Sequence, residues 1–132
     1  MSSAGDDIAA RIAWTAALRE PRSALAWSLG DWERVIRLAR RLRLLARLAE
    51  SLEAAGLLAA VPDAPARHLV AEQQVSRYRT AAMRWALQRI RTVLGPCTFP
   101  CVLLKGAAYL GQDLQVAAGR LPAEVDRATR GR

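Results

Sequence analysis

Two short segments in the last third of the sequence carry residues whose types and spacing suit chemistry. The first is Lys105-Gly106, which follows a continuous apolar run at residues 99–104 and precedes a helix-forming segment at 107–110. A buried strand that ends in Lys-Gly and turns into a helix gathers backbone N–H groups and a cation at one point, which suits an anion such as phosphate. The alternative is a strand–helix corner whose lysine is simply solvated, because one Lys-Gly pair is a weak motif.

The second segment is the acid-x-acid pair Glu124-Val125-Asp126. If residues 123–126 are extended, Glu124 and Asp126 point to the same face, because side chains alternate along a strand. Two such carboxylates are able to hold Mg²⁺ near the Lys-Gly corner. In two-metal sites, ions about 3.5–4 Å apart clamp the attacking and leaving oxygens of a phosphoryl transfer. The alternative is ordinary surface charge, which is what an isolated acid-x-acid pair usually represents.

Helical patterns fill the sequence before these segments. We expect a first helix that is capped by Asp6 or Asp7, ends near residue 19, and buries a face with Ile8, Ile12 and, less regularly, Trp14 and Leu18. Asp31 is the predicted N-cap of a long helix at 32–55, which Gly56 ends. Its predicted buried stripe consists of leucines at three- and four-residue steps, namely Leu38, Leu42, Leu45, Leu48 and Leu52.

A further long helix is predicted at residues 66–94, after a connector with two prolines and before Gly95-Pro96. We expect Trp85 and Leu87 to contribute to a core on this helix. His68 lies near the start of the helix and is the only histidine in the chain, so a histidine metal site is not expected. Cys97 and Cys101 have neither redox nor zinc spacing, and we interpret them as two buried, small apolar residues.

The chain has a formal net charge of +8, which raises the hypothesis of a nucleic-acid partner. We favour a solvated face instead, because arginine-rich composition pervades the chain and aromatic residues for stacking are few. The arginines that flank the leucine stripe are Arg37, Arg40, Arg41, Arg43 and Arg47. An apolar fraction of 52% is enough for a core. The sequence has no membrane-spanning run and no signal-peptide pattern, so we expect a cytoplasmic protein without a membrane partner.

In four places the sequence resembles a bacterial family of nucleotidyltransferases within the DNA polymerase β-like superfamily. A helix opens with Asp31-Trp32 and continues through an arginine- and leucine-rich segment, and Val61-Pro62 leads into a long helix. The most specific part reads Val102-Leu103-Leu104-Lys105-Gly106-Ala107-Ala108. Finally, Gly119-Arg120 precedes the acid-x-acid pair.

The resemblance implies an enzyme that transfers a nucleoside monophosphate from an NTP such as ATP to an acceptor, by a two-metal mechanism. It implies that Lys105 and Gly106 bind the triphosphate and that Glu124 and Asp126 bind Mg²⁺. Glu124 departs from the family, which usually has Asp there. A basic helical module that binds nucleic acid or a protein partner is the alternative function. Neither the acceptor nor the preferred nucleotide follows from the sequence.

The resemblance also predicts the fold class and the domain organisation. We expect a mainly α protein, with a helical region at 1–95 and the incomplete start of an α+β nucleotidyltransferase core at 96–132, built as a short strand–turn–helix remnant. The family's third carboxylate and further sheet follow its metal-binding pair, whereas no acidic residue follows Asp126 here. We therefore expect an N-terminal fragment whose catalytic core is incomplete, and the sequence leaves open whether it is active by itself.

Overall fold

The computed structural model describes residues 4–98, 101–104, 108 and 126–129. Within them the helices are α1 (Ala4–Arg19), α2 (Leu29–Arg41), α3 (Leu45–Ala54) and α4 (Asp63–Leu94), and the strands are β1 (Cys101–Leu104) and β2 (Asp126–Thr129). Short 3₁₀ turns occupy Pro21–Ala26 and Leu58–Ala60. The prediction of a mainly helical fold is therefore confirmed. The turn after β1 and most of the helix expected at 107–110 lie outside the described residues, so the strand–turn–helix remnant stays a prediction.

The chain divides into two compact units, and the division falls between Gln74 and Val75, inside α4. The first unit contains α1, α2, α3 and the first part of α4. The second contains the rest of α4 together with β1 and β2. The division predicted after residue 95 rests on family resemblance rather than on contacts, and it stays a prediction.

The core of the first unit forms around large side chains that are almost completely buried, namely Trp32, Val35, Leu45, Leu48, Leu52 and Leu69. The Trp27 ring packs edge-on against Trp32, with 4.7 Å between the ring centroids. Burying a leucine in such a core is worth about 1.5–3 kcal/mol relative to leaving it exposed, so these residues supply most of the driving force for this unit.

Helix α1 contacts α2, and the side of α1 that is buried corrects part of the sequence-based prediction. Ala10 and Ala17 are buried and Trp14 packs against the core, whereas Ile8 and Ile12 are 59% and 66% exposed. The helix carries apolar residues on more than one side, so its sequence pattern did not single out the buried face. Alanine lets two helix backbones approach closely, and the tertiary packing uses that face instead of the isoleucines.

Helix α2 begins earlier than predicted, and its N-cap is Ser28 rather than Asp31. The Ser28 hydroxyl accepts a hydrogen bond from the Asp31 N–H at 3.2 Å, and the Asp31 carboxylate accepts one from the Ser28 N–H at 2.9 Å. This reciprocal arrangement is a capping box, which satisfies two backbone donors at once. It places Gly30 inside the first turn of α2.

The capping box also controls the ionisation of Asp31. Hydrogen bonds from the Ser28 side chain, and next from the Arg34 side chain, lower the pKa of Asp31 from 3.8 to about 2. Arg34 Nη2 lies 2.7 Å from Asp31 Oδ1. The negative charge at the start of α2 also faces the positive end of the helix dipole, where an anion is favoured.

The single helix predicted at 32–55 is in fact two helices, because α2 ends at Arg41 and α3 begins at Leu45. At the junction Arg43 adopts a left-handed backbone conformation with φ 57°. The Leu44 N–H bonds to the Ala39 carbonyl and the Arg43 N–H to the Arg40 carbonyl, which is the pattern of a Schellman motif. Leu42, which falls at this junction, is 43% exposed, unlike the other four leucines of the predicted stripe.

Gly56 ends α3 as predicted. Its φ of 69° is left-handed, a conformation that costs glycine almost nothing. The Leu57 N–H donates to the Leu52 carbonyl and the Gly56 N–H donates to the Glu53 carbonyl, each at 2.8 Å. Leu57 is buried in the same core as Leu52, so this cap also joins the helix end to the hydrophobic interior.

In the second unit, two predictions about burial are wrong. Leu87 is buried, but Trp85 is 65% exposed, because its ring lies on the opposite side of α4. Cys97 is a free and exposed cysteine rather than a buried one, since it follows the end of α4 in a segment that leaves the helix. The side chain of Cys101 lies outside the described residues. Among the described helices, none combines the length and the apolar character that a membrane span requires.

Candidate functional site

The strand that leads to Lys105 and the strand that starts at Asp126 pair with each other. β1 and β2 are antiparallel, and the register places Leu104 opposite Asp126, Leu103 opposite Arg127, Val102 opposite Ala128 and Cys101 opposite Thr129. Residues directly opposite one another in an antiparallel pair have Cα atoms about 4.5–5.5 Å apart. The last residue of β1 and the first residue of β2 are therefore immediate neighbours.

This register brings two of the sequence-predicted segments to the same end of the ladder. β1 ends at Leu104, one residue before Lys105, and β2 begins at Asp126, two residues after Glu124. Lys105, Gly106 and Glu124 themselves lie outside the described residues, as does the side chain of Asp126. The strand pairing thus brings together the chain positions that lead into the predicted phosphate and metal sites.

A strand follows the acid-x-acid pair. The prediction that both carboxylates share one face requires extended backbone at 123–126, of which residues 123–125 lie outside the described part, so it stays a hypothesis. β2 covers Asp126–Thr129 and is defined by its hydrogen-bonded partner β1 rather than by an apolar pattern.

A separate concave feature lies within the first unit, between α2 and the start of α4. Its volume is about 460 Å³, which is within the range of small-molecule pockets. The lining is mostly apolar. Its charged or titratable side chains are two arginines, one histidine and one glutamate. The lining residues are Leu29, Trp32, Glu33, Ile36, Arg37, Arg40, Ala64, Pro65 and His68.

The polar side chains of this cleft already bind one another. Arg40 Nη2 lies 3.0 Å from His68 Nδ1, and Arg37 is paired with Glu33. Because a guanidinium only donates, Nδ1 of His68 is the acceptor in this contact. This contact links α2 to α4, so the structure uses Arg40 and His68 to join two helices.

Another arginine that flanks the leucine stripe, Arg41, forms an ion pair between two helices. Arg41 Nη2 lies 2.7 Å from Asp7 Oδ2 of α1. Such exposed pairs contribute roughly 0.2–1 kcal/mol, so their role is local orientation rather than overall stability. Among the described residues, no group of three or more His, Cys, Asp or Glu side chains is arranged to hold a metal ion.

The family follows from a comparison with family models. The model of a family described as "Uncharacterised nucleotidyltransferase" matches residues 28–129. The chain belongs to this family. The matched range begins at the N-cap of α2, includes α2, α3 and α4, and ends at the last residue of β2. It contains all four segments on which the sequence resemblance rests, whereas α1 lies before it.

Membership of this family suggests a nucleotidyltransferase function, which implies an NTP as substrate. Comparison with curated proteins found no match, and comparison with solved structures found none either. Nucleotidyltransferases generally use divalent metal ions. Within the described part of the chain, the register of β1 and β2 includes Asp126, one of the two positions where the sequence predicts such an ion to bind.

Proposed function

We propose that the chain transfers a nucleoside monophosphate from an NTP such as ATP to an acceptor, and that the site lies at the end of the β1–β2 ladder. The observation that carries the proposal is the register, in which Leu104, just before Lys105, is opposite Asp126. The acceptor's nucleophilic atom attacks the α-phosphorus, the bond from that phosphorus to the bridging oxygen breaks, and pyrophosphate leaves with the electron pair. The acceptor's proton passes to solvent.

Lys105 and Gly106 would bind the triphosphate. The Lys105 ammonium offsets part of the phosphate charge, and Gly106 has no Cβ, so its backbone N–H is able to approach a phosphate oxygen closely. A helix that begins just after this pair would add the positive end of its dipole. These contributions act on the same anion from one short corner of the chain.

Glu124 and Asp126 would hold Mg²⁺. Carboxylate oxygens are the ligands that this ion prefers, and an i, i+2 spacing on extended backbone puts both on one face. This assignment is supported by the register, in which Asp126 is opposite Leu104, the residue before Lys105. The bound ion would supply charge neutralisation for the phosphates. Glutamate at 124 has one more methylene than the usual aspartate, which extends its reach by one bond.

Nucleotide binding tests this proposal without requiring turnover. We expect the chain to bind a non-hydrolysable α,β-methylene ATP in the presence of Mg²⁺, measured by isothermal titration calorimetry. Lys105→Ala should lower the affinity by about 10- to 100-fold, the effect of one hydrogen bond to a charged group. Asp126→Asn should remove the difference in affinity between Mg²⁺ and EDTA.

Matched controls separate these effects from a general change of charge. Arg22→Ala removes one exposed positive charge and Asp6→Asn one exposed negative charge, both in the first unit, and both should leave nucleotide affinity unchanged. If Lys105→Ala and Arg22→Ala weaken binding equally, the assignment of Lys105 is wrong. In a turnover assay with labelled ATP and Mg²⁺, activity that persists in Asp126→Ala would exclude the metal role.

The single lysine offers a direct chemical probe of the same site. Lys105 and the N-terminal amine are the only primary amines in the chain, so acetylation followed by mass spectrometry reports on each separately. Mg²⁺–ATP should slow acetylation of Lys105 and leave that of the N-terminus unchanged. Equal rates at Lys105 with and without the nucleotide would contradict triphosphate binding there.

A further inference from the structure

The last 20 residues of α4, from Val75 to Leu94, carry an unusual concentration of charge. They contain five arginines and no aspartate or glutamate, so no acidic residue of the helix segment offsets the positive potential. The arginines are Arg77, Arg79, Arg84, Arg89 and Arg91. Polyanions are the class of partner that such a potential attracts.

Two large aromatic side chains of this helix segment are exposed to solvent. Tyr78 is 77% exposed and Trp85 is 65% exposed. They are seven residues apart, so they lie on one face about 10 Å from each other along the axis. Leu87 is buried and, at two residues from Trp85, points about 200° away from it. The aromatic face is thus opposite the buried face rather than at its edge.

A cation packs against one of these rings. The guanidinium carbon of Arg89 lies 5.3 Å from the centroid of the Trp85 ring, within the range of a cation–π contact. Arg89 is four residues after Trp85, and both side chains are exposed. The outer face of α4 therefore presents aromatic rings and guanidinium groups together.

Single-stranded nucleic acid fits this combination best. Such ligands are bound by basic surfaces that follow the phosphates and by aromatic side chains on which successive bases stack. A second copy of this helix segment fits less well, because it would place its five arginines against the five arginines of the first copy. A lipid bilayer needs a continuous apolar face, whereas Gln74 and Gln88 lie on the same side as Tyr78 and Trp85.

We propose that the outer face of α4, from Tyr78 to Arg89, binds single-stranded nucleic acid. Tyr78 and Trp85 stack on bases, while Arg79 and Arg89 contact phosphates. The proposal goes beyond transfer at the β1–β2 ladder and uses none of the residues placed there. RNA and DNA share the phosphates and bases that it requires, and only a comparison of the two distinguishes them.

Fluorescence anisotropy with labelled 12-nucleotide oligo(U) and oligo(dT) tests the proposal on the full chain. We expect binding that weakens with salt, with a slope that becomes shallower by about 0.7 when one contacting arginine is lost. Trp85→Ala and Tyr78→Ala should each lower the affinity at least fivefold, as expected for one stacked base. Trp85→Phe should retain most of the affinity, because phenylalanine keeps a ring for stacking.

Two control variants and one control ligand make the result decisive. Ile12→Ala removes an apolar side chain as exposed as Trp85, at 66% against 65%, and Arg22→Ala removes an exposed arginine of the first unit; both should leave the affinity unchanged. An abasic oligomer of the same length should lose little affinity in Trp85→Ala. Helical content by circular dichroism shows whether each variant is folded.

Three results would overturn the proposal. The first is no binding of either oligomer at low salt. The second is an equal loss of affinity for the abasic oligomer and oligo(U) in Trp85→Ala, because stacking would then contribute nothing. The third is Trp85-dependent binding to phosphatidylserine vesicles without binding to the oligomers, which would assign the face to a membrane. Preference for oligo(U) over oligo(dT) would identify RNA as the partner.

Discussion

Among the residues that the structure describes, Arg43 is the one non-glycine residue with a left-handed backbone conformation. A left-handed conformation costs a residue with a Cβ about 1–2 kcal/mol, and glycine is the residue usually found at this position of a Schellman motif. Gly56 occupies the equivalent position after α3, with φ 69° against 57° for Arg43. The two helix ends therefore have the same geometry, but only one has the residue that suits it.

Replacing Arg43 with glycine should stabilise the protein. We expect Arg43→Gly to raise the free energy of unfolding by about 1 kcal/mol, because it removes the strain and keeps the backbone hydrogen bonds. Thermal unfolding by circular dichroism measures the change. Arg47→Gly is the control: it lies inside α3, where glycine costs about 1 kcal/mol relative to alanine, and should lower the melting temperature. A lower melting temperature for Arg43→Gly would show that the side chain contributes more than its strain costs.

At the scale of elements, the start of α2 depends on Ser28 and Asp31 acting as a pair. Ser28 is the largest cause of the lowered pKa of Asp31, so the cap and the ionisation are coupled. Because the pKa in the folded state, about 2, is below the ordinary value of 3.8, the ionised carboxylate stabilises the fold above pH 4. That contribution disappears as the pH falls from about 4 to about 2.

The coupling predicts a pH-dependent difference between variants. Wild type should melt at a higher temperature than Asp31→Asn above pH 4, and the two should converge near pH 2. Ser28→Ala should cost about 0.5–2 kcal/mol of stability and raise the pKa of the Asp31 carboxyl, which NMR titration measures. Asp6→Asn, at an exposed acidic residue of α1, serves as the control and should not show the same convergence. An Asp31 pKa near 3.8 in the wild type would contradict the capping box.

At the scale of the whole molecule, the first unit has a hydrophobic core of its own. Among the described residues, every member of the buried cluster around Trp32 lies at or before Leu69, and Gln73 Nε2 donates to Glu53 Oε2 at 2.6 Å. This cluster is thus built from residues that precede Val75.

A chain that ends at Gln74 should therefore fold by itself. We expect a helical circular dichroism spectrum and a cooperative thermal transition, though with modest stability, because units of this size bury limited surface. Leu48→Ala in the same fragment should lower the stability by about 2–5 kcal/mol, since Leu48 is fully buried. A gradual, non-cooperative loss of helicity would show that the first unit needs residues beyond Gln74.

The sequence by itself determined the helix-rich character, the end of α3 at Gly56, the end of α4 near Leu94 and the family. These features depend on local chemistry, such as glycine at a left-handed position, or on short motifs that a family shares. Only the tertiary structure decided that α1 packs through alanines, that α2 and α3 are separate helices, and that Trp85 faces solvent. A pattern of apolar residues indicates which helix faces are able to be buried. Which of those faces is covered, and by which element, depends on packing across the whole chain. The tertiary structure also decided the pairing of Leu104 with Asp126. These residues are 22 positions apart in the sequence, and no local sequence pattern indicates a hydrogen-bonded partner at that distance.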